Sequence, residues 1–248
     1  MKNKIILHIP HSSLKLTKEF KNFQKHISNN EINKFNLTMT DLFTDKLFSY
    51  NKFKFIKANY SRICCDVEKF IDDNQEEMSK YGMGVIYTRT NKMQNLITIN
   101  KEYKEIVLKK YYFPHHNKLN NIVEKSLKKN KSVILIDCHS FGKEIVMNGK
   151  THDLPDVCIG YNEWSKGGLT LVNITNKYFQ KLGYKTAINY PYVGSIIPNK
   201  LIKEPNKNFA SIMLELNKDL YLDRTKKSKG FSKLKKRFAK LLKLHKEY

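Results

Sequence analysis

The 248-residue sequence is 40% hydrophobic and 28% charged, enough apolar material for one sizeable α/β core. Its formal charge is +23, from 46 Lys plus Arg against 23 Asp plus Glu, which raises nucleic acid or an anionic surface as a partner. Against that, lysine far outnumbers arginine, the better reader of bases and phosphates, and the charge is spread through the chain among asparagines.

No apolar run approaches the roughly 20 residues of a membrane-spanning helix. The start, MKNKIILHIPHSS, holds too short an apolar patch for a signal peptide, so a cytoplasmic protein is expected. Cys64, Cys65, Cys138 and Cys158 form no C-x-x-C pair and read as buried free thiols.

In chain order, Lys4–Ile9 reads as a first strand, Thr17–Ile27 and Asp41–Tyr50 as helices, and Phe53–Ala58, alternating aromatic and lysine, as a half-buried strand. Gly84–Thr88 (GVIYT) reads as a third strand. Lys101–Lys129 is helical with a break or kink expected at Pro114. Val133–Cys138 (VILIDC) is continuously apolar, as a strand covered on both faces would be. Val157–Gly160, a helix over Leu169–Leu182 ended by Gly183, and strands at Lys185–Ile188 and Ser211–Leu216 follow. Phe231–Leu244 closes the chain as a basic amphipathic helix. Without internal repeats or a Gly/Ser/Pro-rich linker, the alternation predicts a single α/β domain with a mixed, mostly parallel central sheet flanked by helices. The expected division is a catalytic domain over 1–225 and a basic helix over 226–248 packed on it or extending from it.

Ligands of such sheets bind outside the carboxyl ends of the strands. His11 follows the first strand, Asp137-Cys138-His139 ends the fourth and Glu215 lies in the last. An apolar strand needs neither histidine nor glutamate, and a buried carboxylate needs a partner. Two imidazoles and a carboxylate would leave a fourth position on zinc for water. For that carboxylate, Asp41, Asp45 and Asp137 stay open: Asp41 could instead cap a helix, Asp45 could face solvent, and Asp137 could orient His139, coordinate, or cap a turn. Arg62 stands among apolar residues either to grip a substrate carboxylate or phosphate or to pair with Asp66. His115 and His116, after Pro114, read by themselves as surface residues.

HIPHSS, TDLFTDKLF, SRICCDVEKFIDD, GMGVIYT, YYFPHH, LIDCHSF, NYPYVGSIIP and IMLELNKDLYLD occur in the order seen in the N-formylglutamate amidohydrolase family, so the chain resembles that family from about residue 5 to about 223. The resemblance implies a fold similar to carboxypeptidase-type zinc hydrolases and amide hydrolysis with Zn2+ or another divalent metal. Residue by residue, it implies His11, Asp41 and His139 as metal ligands, Glu215 as the catalytic base, His116 as a further catalytic residue and Arg62 as the clamp on the substrate carboxylate. Asp66, Arg89 and Asn189 join Arg62 as substrate-binding candidates, with Arg89 or His116 facing the oxyanion. The chain reads Asp66-Val67-Glu68-Lys69 where many members read Asp-Leu-Asn-Arg, which bears on substrate identity. The expected substrate is an N-acyl amino acid, N-formyl-L-glutamate first, cleaved to formate and glutamate. The rival readings are another N-acyl amino acid or short peptide as substrate, and a non-enzymatic basic protein binding nucleic acid. A third expectation is an acidic partner for the tail from Lys226, without a specific nucleic acid.

Overall fold

The computed structural model describes residues 3–23, 27–50, 52–142, 154–162 and 166–247. In chain order the elements are β1 (Lys4–Ile9), α1 (Lys18–Phe23), α2 (Asn29–Met39), α3 (Thr44–Leu47), β2 (Lys54–Lys57), α4 (Lys101–Val107) and α5 (Phe113–Leu127). They continue as β3 (Val133–Phe141), β4 (Val157–Gly160), α6 (Lys166–Lys181), β5 (Thr186–Ile188), α7 (Asn199–Lys203), β6 (Phe209–Asn217), β7 (Leu222–Asp223), β8 (Lys226–Lys227) and α8 (Gly230–Glu247). The fold is α/β, with a mixed, mostly parallel sheet and flanking helices. The chain divides into two compact units: Met1–Ile9 with Phe43–Ile56 and Leu119–Tyr248, and Pro10–Leu42 with Lys57–Lys118.

The first unit holds the sheet, whose described strands run in the order β2-β1-β3-β6-β4-β5. β1, β3 and β6 pair in parallel, β4 runs antiparallel to β6, and β5 is parallel to β4. All nine residues of β3 are buried, the reason VILIDC shows no alternation: the strand sits between β1 and β6. β2 is an edge strand, and among its residues only Ile56 is buried; Phe55 is exposed, so the aromatic–lysine alternation there does not mark a buried face. Ile6, Ile56, Leu119, Val123, Val133 and Leu135 form part of a core against the sheet. α8 packs through Phe231, Leu234, Phe238, Leu241 and Leu242, while Lys233, Lys236, Lys240 and Lys243 are exposed. No described helix is long and apolar enough to cross a membrane.

The second unit is built around Phe20, Phe35, Ile63, Val85, Tyr87, Leu96 and Tyr103, all buried. GVIYT crosses this core, but not as a strand. Its backbone makes isolated contacts, with Asp66 N–H donating to the Val85 carbonyl and Tyr87 N–H to that of Ile63. An apolar run reports burial, and irregular chain with satisfied backbone groups buries as well as a strand does. α2 is absent from the elements read off the sequence because its asparagine-rich NNEINKFNLTM is a weak helix former. Its start is nonetheless marked by a capping box between Ser28 and Glu31.

Other boundaries shift for local reasons. The helix expected over Asp41–Tyr50 contracts to Thr44–Leu47, because Phe43 at its N-cap takes a left-handed φ of 60°. α1 is described over Lys18–Phe23, and residues 24–26 of the expected Thr17–Ile27 helix lie outside the described residues. Instead of breaking at Pro114, the long helix runs on: Leu108–Tyr112 form a π-helical turn, which widens the ladder just before the ring. The small β7–β8 hairpin, with Arg224 at φ 54° in its turn, is too short to leave a periodic signal.

His245 of α8 is fully buried, with Nε2 3.0 Å from Thr175 Oγ1 of α6. Burial lowers its pKa from 6.5 to about 4. A depressed folded-state pKa contributes stability that is present above the unfolded value and lost as pH falls through the folded one. Stability should therefore decline between pH 6.5 and 4 by a component on the order of 3 kcal/mol. Urea unfolding across that range should show a shallower acid slope for His245→Met than for the parent; equal slopes would show that the ring's burial costs nothing on protonation.

Candidate functional site

In the first unit, the sheet register brings titratable side chains side by side. His8 of β1 stands opposite Asp137 of β3, and His139 of β3 stands opposite Glu215 of β6. Cys158 of β4 flanks Glu215 from the other side. Residues two apart along a strand share a face, so Asp137 and His139 project to one side of the sheet. His8 Nδ1 lies 2.7 Å from Asp137 Oδ1, and His139 Nε2 lies 3.1 Å from the same oxygen. Asp137 Oδ2 accepts the backbone N–H of Ile196 at 3.1 Å. All these side chains are buried. Burial would raise the Asp137 carboxyl, but the His139 and His8 rings reverse that and hold it well below the usual carboxylate range. It is an ionised acceptor with three donors.

The same unit positions Asn189 at φ 50°, after β5. Its Oδ1 accepts the Tyr161 and Gly194 N–H groups, and its Nδ2 donates to the Tyr161 carbonyl. The amide sought for substrate binding thus clasps its own loop. Only glycine fits at Gly160, where a Cβ would collide with the Gly194 carbonyl. Burial pushes the Cys158 thiol up to about 11, with the Glu215 charge adding to it. The thiol stays neutral beside the carboxylate.

The second unit carries a matching arrangement. His11 Nε2 lies 2.8 Å from Asp66 Oδ1. Arg62 donates through Nε and Nη2 to Asp66 Oδ2, at 3.0 and 2.9 Å. Tyr87 Oη–H donates to the same oxygen at 3.0 Å, and the Glu68 N–H to Oδ1 at 3.2 Å. Burial would raise the Asp66 carboxyl, while Arg62 and then His11 hold it well below the usual range. Asp41, 2% exposed, places Oδ2 3.8 Å from His11 Nδ1, and its N–H donates to the His11 carbonyl at 2.9 Å. It does not cap a helix: α3 begins after Phe43. Asp45, in α3, belongs to the first unit. His11, Asp66 and Glu68 each offer a ligand atom, all within 4.8 Å of one another.

His116 is buried rather than on the surface. Its Nε2–H donates to the Val67 carbonyl at 2.8 Å, and its ring lies 4.2 Å from that of Tyr112. Arg89 is exposed, next to an isolated bridge with Asn95. Arg62, with its side chain 17% exposed, realises the bland reading of its sequence context, an ion pair with Asp66. That pair spends two of the five guanidinium N–H groups.

Two contributors had no role from the sequence, His8 and Tyr87. His8 could have been noticed as the one polar residue in the apolar run of β1 after Lys4, but only register identifies Asp137 as its partner. Tyr87 lies in an apolar run that hides its hydroxyl.

The donor set suits a divalent metal. Each candidate imidazole ligand has Nε2 held by a buried aspartate, an arrangement that favours the tautomer able to coordinate through Nδ1. The 3.8 Å between His11 Nδ1 and Asp41 Oδ2 is too long for a hydrogen bond. It is also less than the sum of two zinc–ligand distances of about 2.0–2.2 Å.

A family profile for N-formylglutamate amidohydrolase matches residues 3–222. The crystal structure of N-formylglutamate amidohydrolase from Ralstonia eutropha JMP134 is similar, with a TM-score of 0.81 at 20% identity, over 98% of this chain and 93% of that one. The crystal structure of a gene product from Agrobacterium tumefaciens gives a TM-score of 0.71 at 15% identity, over 97% of this chain and 91% of that one. At such identities the structural likeness speaks for the fold. No curated protein matches the chain. The profile, however, spans most of the sequence, and by that match the chain belongs to the N-formylglutamate amidohydrolase family.

Proposed function

We propose that this protein is a metal-dependent amide hydrolase that cleaves an N-acyl amino acid, with N-formyl-L-glutamate, giving formate and glutamate, as the first substrate to test. Family membership supports the reaction class. The observation that carries the metal is the pair of imidazoles each backed by a buried, multiply bonded aspartate. His11, Asp41 and His139 would hold the ion, and zinc suits two nitrogens and one oxygen with a position left for water. In support, His11 and Asp41 lie together in one unit, and His139 stands beside Glu215 in the other. β1 also carries the chain from His8, the partner of Asp137, into His11 within three residues.

When bound, zinc supplies Lewis acidity, lowering the pKa of a water to about 7 and polarising the amide carbonyl. Glu215 takes the proton of the attacking water and returns it to the leaving nitrogen. Arg62, with three N–H groups beyond those given to Asp66, binds the substrate carboxylate and orients the amide, with Arg89 as a further contact and Asn189 acting through the shape of its own loop. His116, oriented by its Nε2–H on the Val67 carbonyl, would assist at the developing oxyanion. Burial holds the Cys64 thiol up at about 12 and Cys158 at about 11, so neither competes as a thiolate ligand.

Three measurements test this reading. Chelation should abolish hydrolysis of N-formylglutamate and added zinc should restore it, while His139→Ala should lose both the metal and all but roughly 1% of the activity; a metal-free, fully active protein would defeat the proposal. Glu215→Gln should keep its metal by elemental analysis and lose about 10²–10⁴-fold in kcat. If the metal leaves with that substitution, Glu215 is a ligand. Arg62→Lys should raise KM about tenfold and erase the preference for a carboxylate over the corresponding carboxamide; an unchanged preference would confine Arg62 to its pair with Asp66.

A further inference from the structure

Asp66 and Asp137 hold the two candidate ligand histidines, and each needs holding itself. Asp66 is fixed by a guanidinium fork, a tyrosine hydroxyl and a backbone N–H. Among the described residues, the contacts of Asp137 include no arginine or tyrosine in the equivalent place. Its Oδ2 takes one N–H, from Ile196, and its Oδ1 lies 2.7 Å from His8 Nδ1 and 3.1 Å from His139 Nε2. A carboxylate has only acceptors, so both rings must present N–H to that oxygen. His8 makes the shorter of the two contacts, is 0% exposed, and sits in register with Asp137 on the neighbouring parallel strand.

We propose that His8 is a positioning residue: by donating Nδ1–H to Asp137 it locks the carboxylate in the orientation that accepts Nε2–H from His139, and so keeps His139 in the tautomer whose Nδ1 carries the coordinating lone pair. The inference rests on the reading of His139 as a metal ligand. It goes beyond that reading by assigning the coordinating atom to a tautomer set from β1, two residues removed from the ion. Without the His8 donor, Asp137 keeps one backbone N–H and is free to rotate about its terminal torsion. His139 can then exchange its proton between the two nitrogens, and only one of the two forms has Nδ1 available to the ion. The ring of residue 8 touches neither ion nor substrate in this scheme, so it is not a catalytic residue.

Two substitutions separate positioning from packing. His8→Asn keeps an amide N–H close to where the ring Nδ1–H stood, and His8→Leu removes it. In chelator-treated protein labelled with ¹⁵N-histidine, long-range ¹⁵N–¹H spectra should show His139 protonated at Nε2 in the parent and in His8→Asn. In His8→Leu they should show a mixture of tautomers. With zinc added back, competition against a chromophoric chelator should give a 10–100-fold weaker affinity for His8→Leu and less than a threefold change for His8→Asn. A parent in which His139 carries its proton on Nδ1 would overturn the proposal without recourse to any variant. So would a His8→Leu protein that keeps the parent's tautomer and zinc affinity while merely unfolding more easily. If the tautomers respond as expected but the parent binds no zinc, the positioning role stands and the metal reading falls.

Discussion

A carboxylate buried away from water survives only when its oxygens are saturated with donors, and Asp66 and Asp137 meet that condition differently. Arg62, Tyr87 and the Glu68 N–H surround one; His8 and the Ile196 N–H support the other. In each case the remaining acceptor capacity goes to the Nε2 of a histidine. This is how imidazoles are made into good ligands: the proton is pinned to one nitrogen, the ring plane is fixed, and the other nitrogen is left basic. The proposed metal chemistry would draw on that arrangement at both histidines.

The scaffold serves it through strand register. Parallel pairing of β1, β3 and β6 sets His8 beside Asp137 and His139 beside Glu215. The twofold alternation of a strand then keeps Asp137 and His139 on a common face. A slip of one residue between β1 and β3 would turn His8 to the opposite face and leave Asp137 with one donor fewer. The apolar residues of β3, buried at every position, hold that register, so the packing of the sheet and the electrostatics of the site are not separable.

Arg62 illustrates how one residue can carry two readings. Its sequence context allowed either a clamp on substrate or an ion pair with Asp66, and the structure contains the ion pair. A guanidinium has donors to spare after two bonds, so the pair orients Asp66, and through it His11, without exhausting the fork. Asn189 is the contrary case. Its amide, offered by the sequence as a substrate contact, is engaged three times by its own loop.

The strand and helix pattern was legible in the sequence wherever burial and periodicity agree: β1 and β4 as read, and β3, β5, β6, α6 and α8 to within a few residues. It misled at GVIYT, where an apolar stretch is buried as irregular chain, and at Asp41–Tyr50, where a left-handed Phe43 shortens the helix. The sequence by itself determined which chemistry-bearing residues exist, that several fall near strand ends, and, through the order of its motifs, the family. Only the tertiary structure decided who holds whom. Asp66 belongs with His11, Asp137 with His8, and His116 with the Val67 carbonyl, because hydrogen-bond partners 49 to 129 positions apart are chosen by register and loop geometry, which no local pattern of residues encodes; the Asp137–His139 contact, two positions apart, was within reach of the sequence.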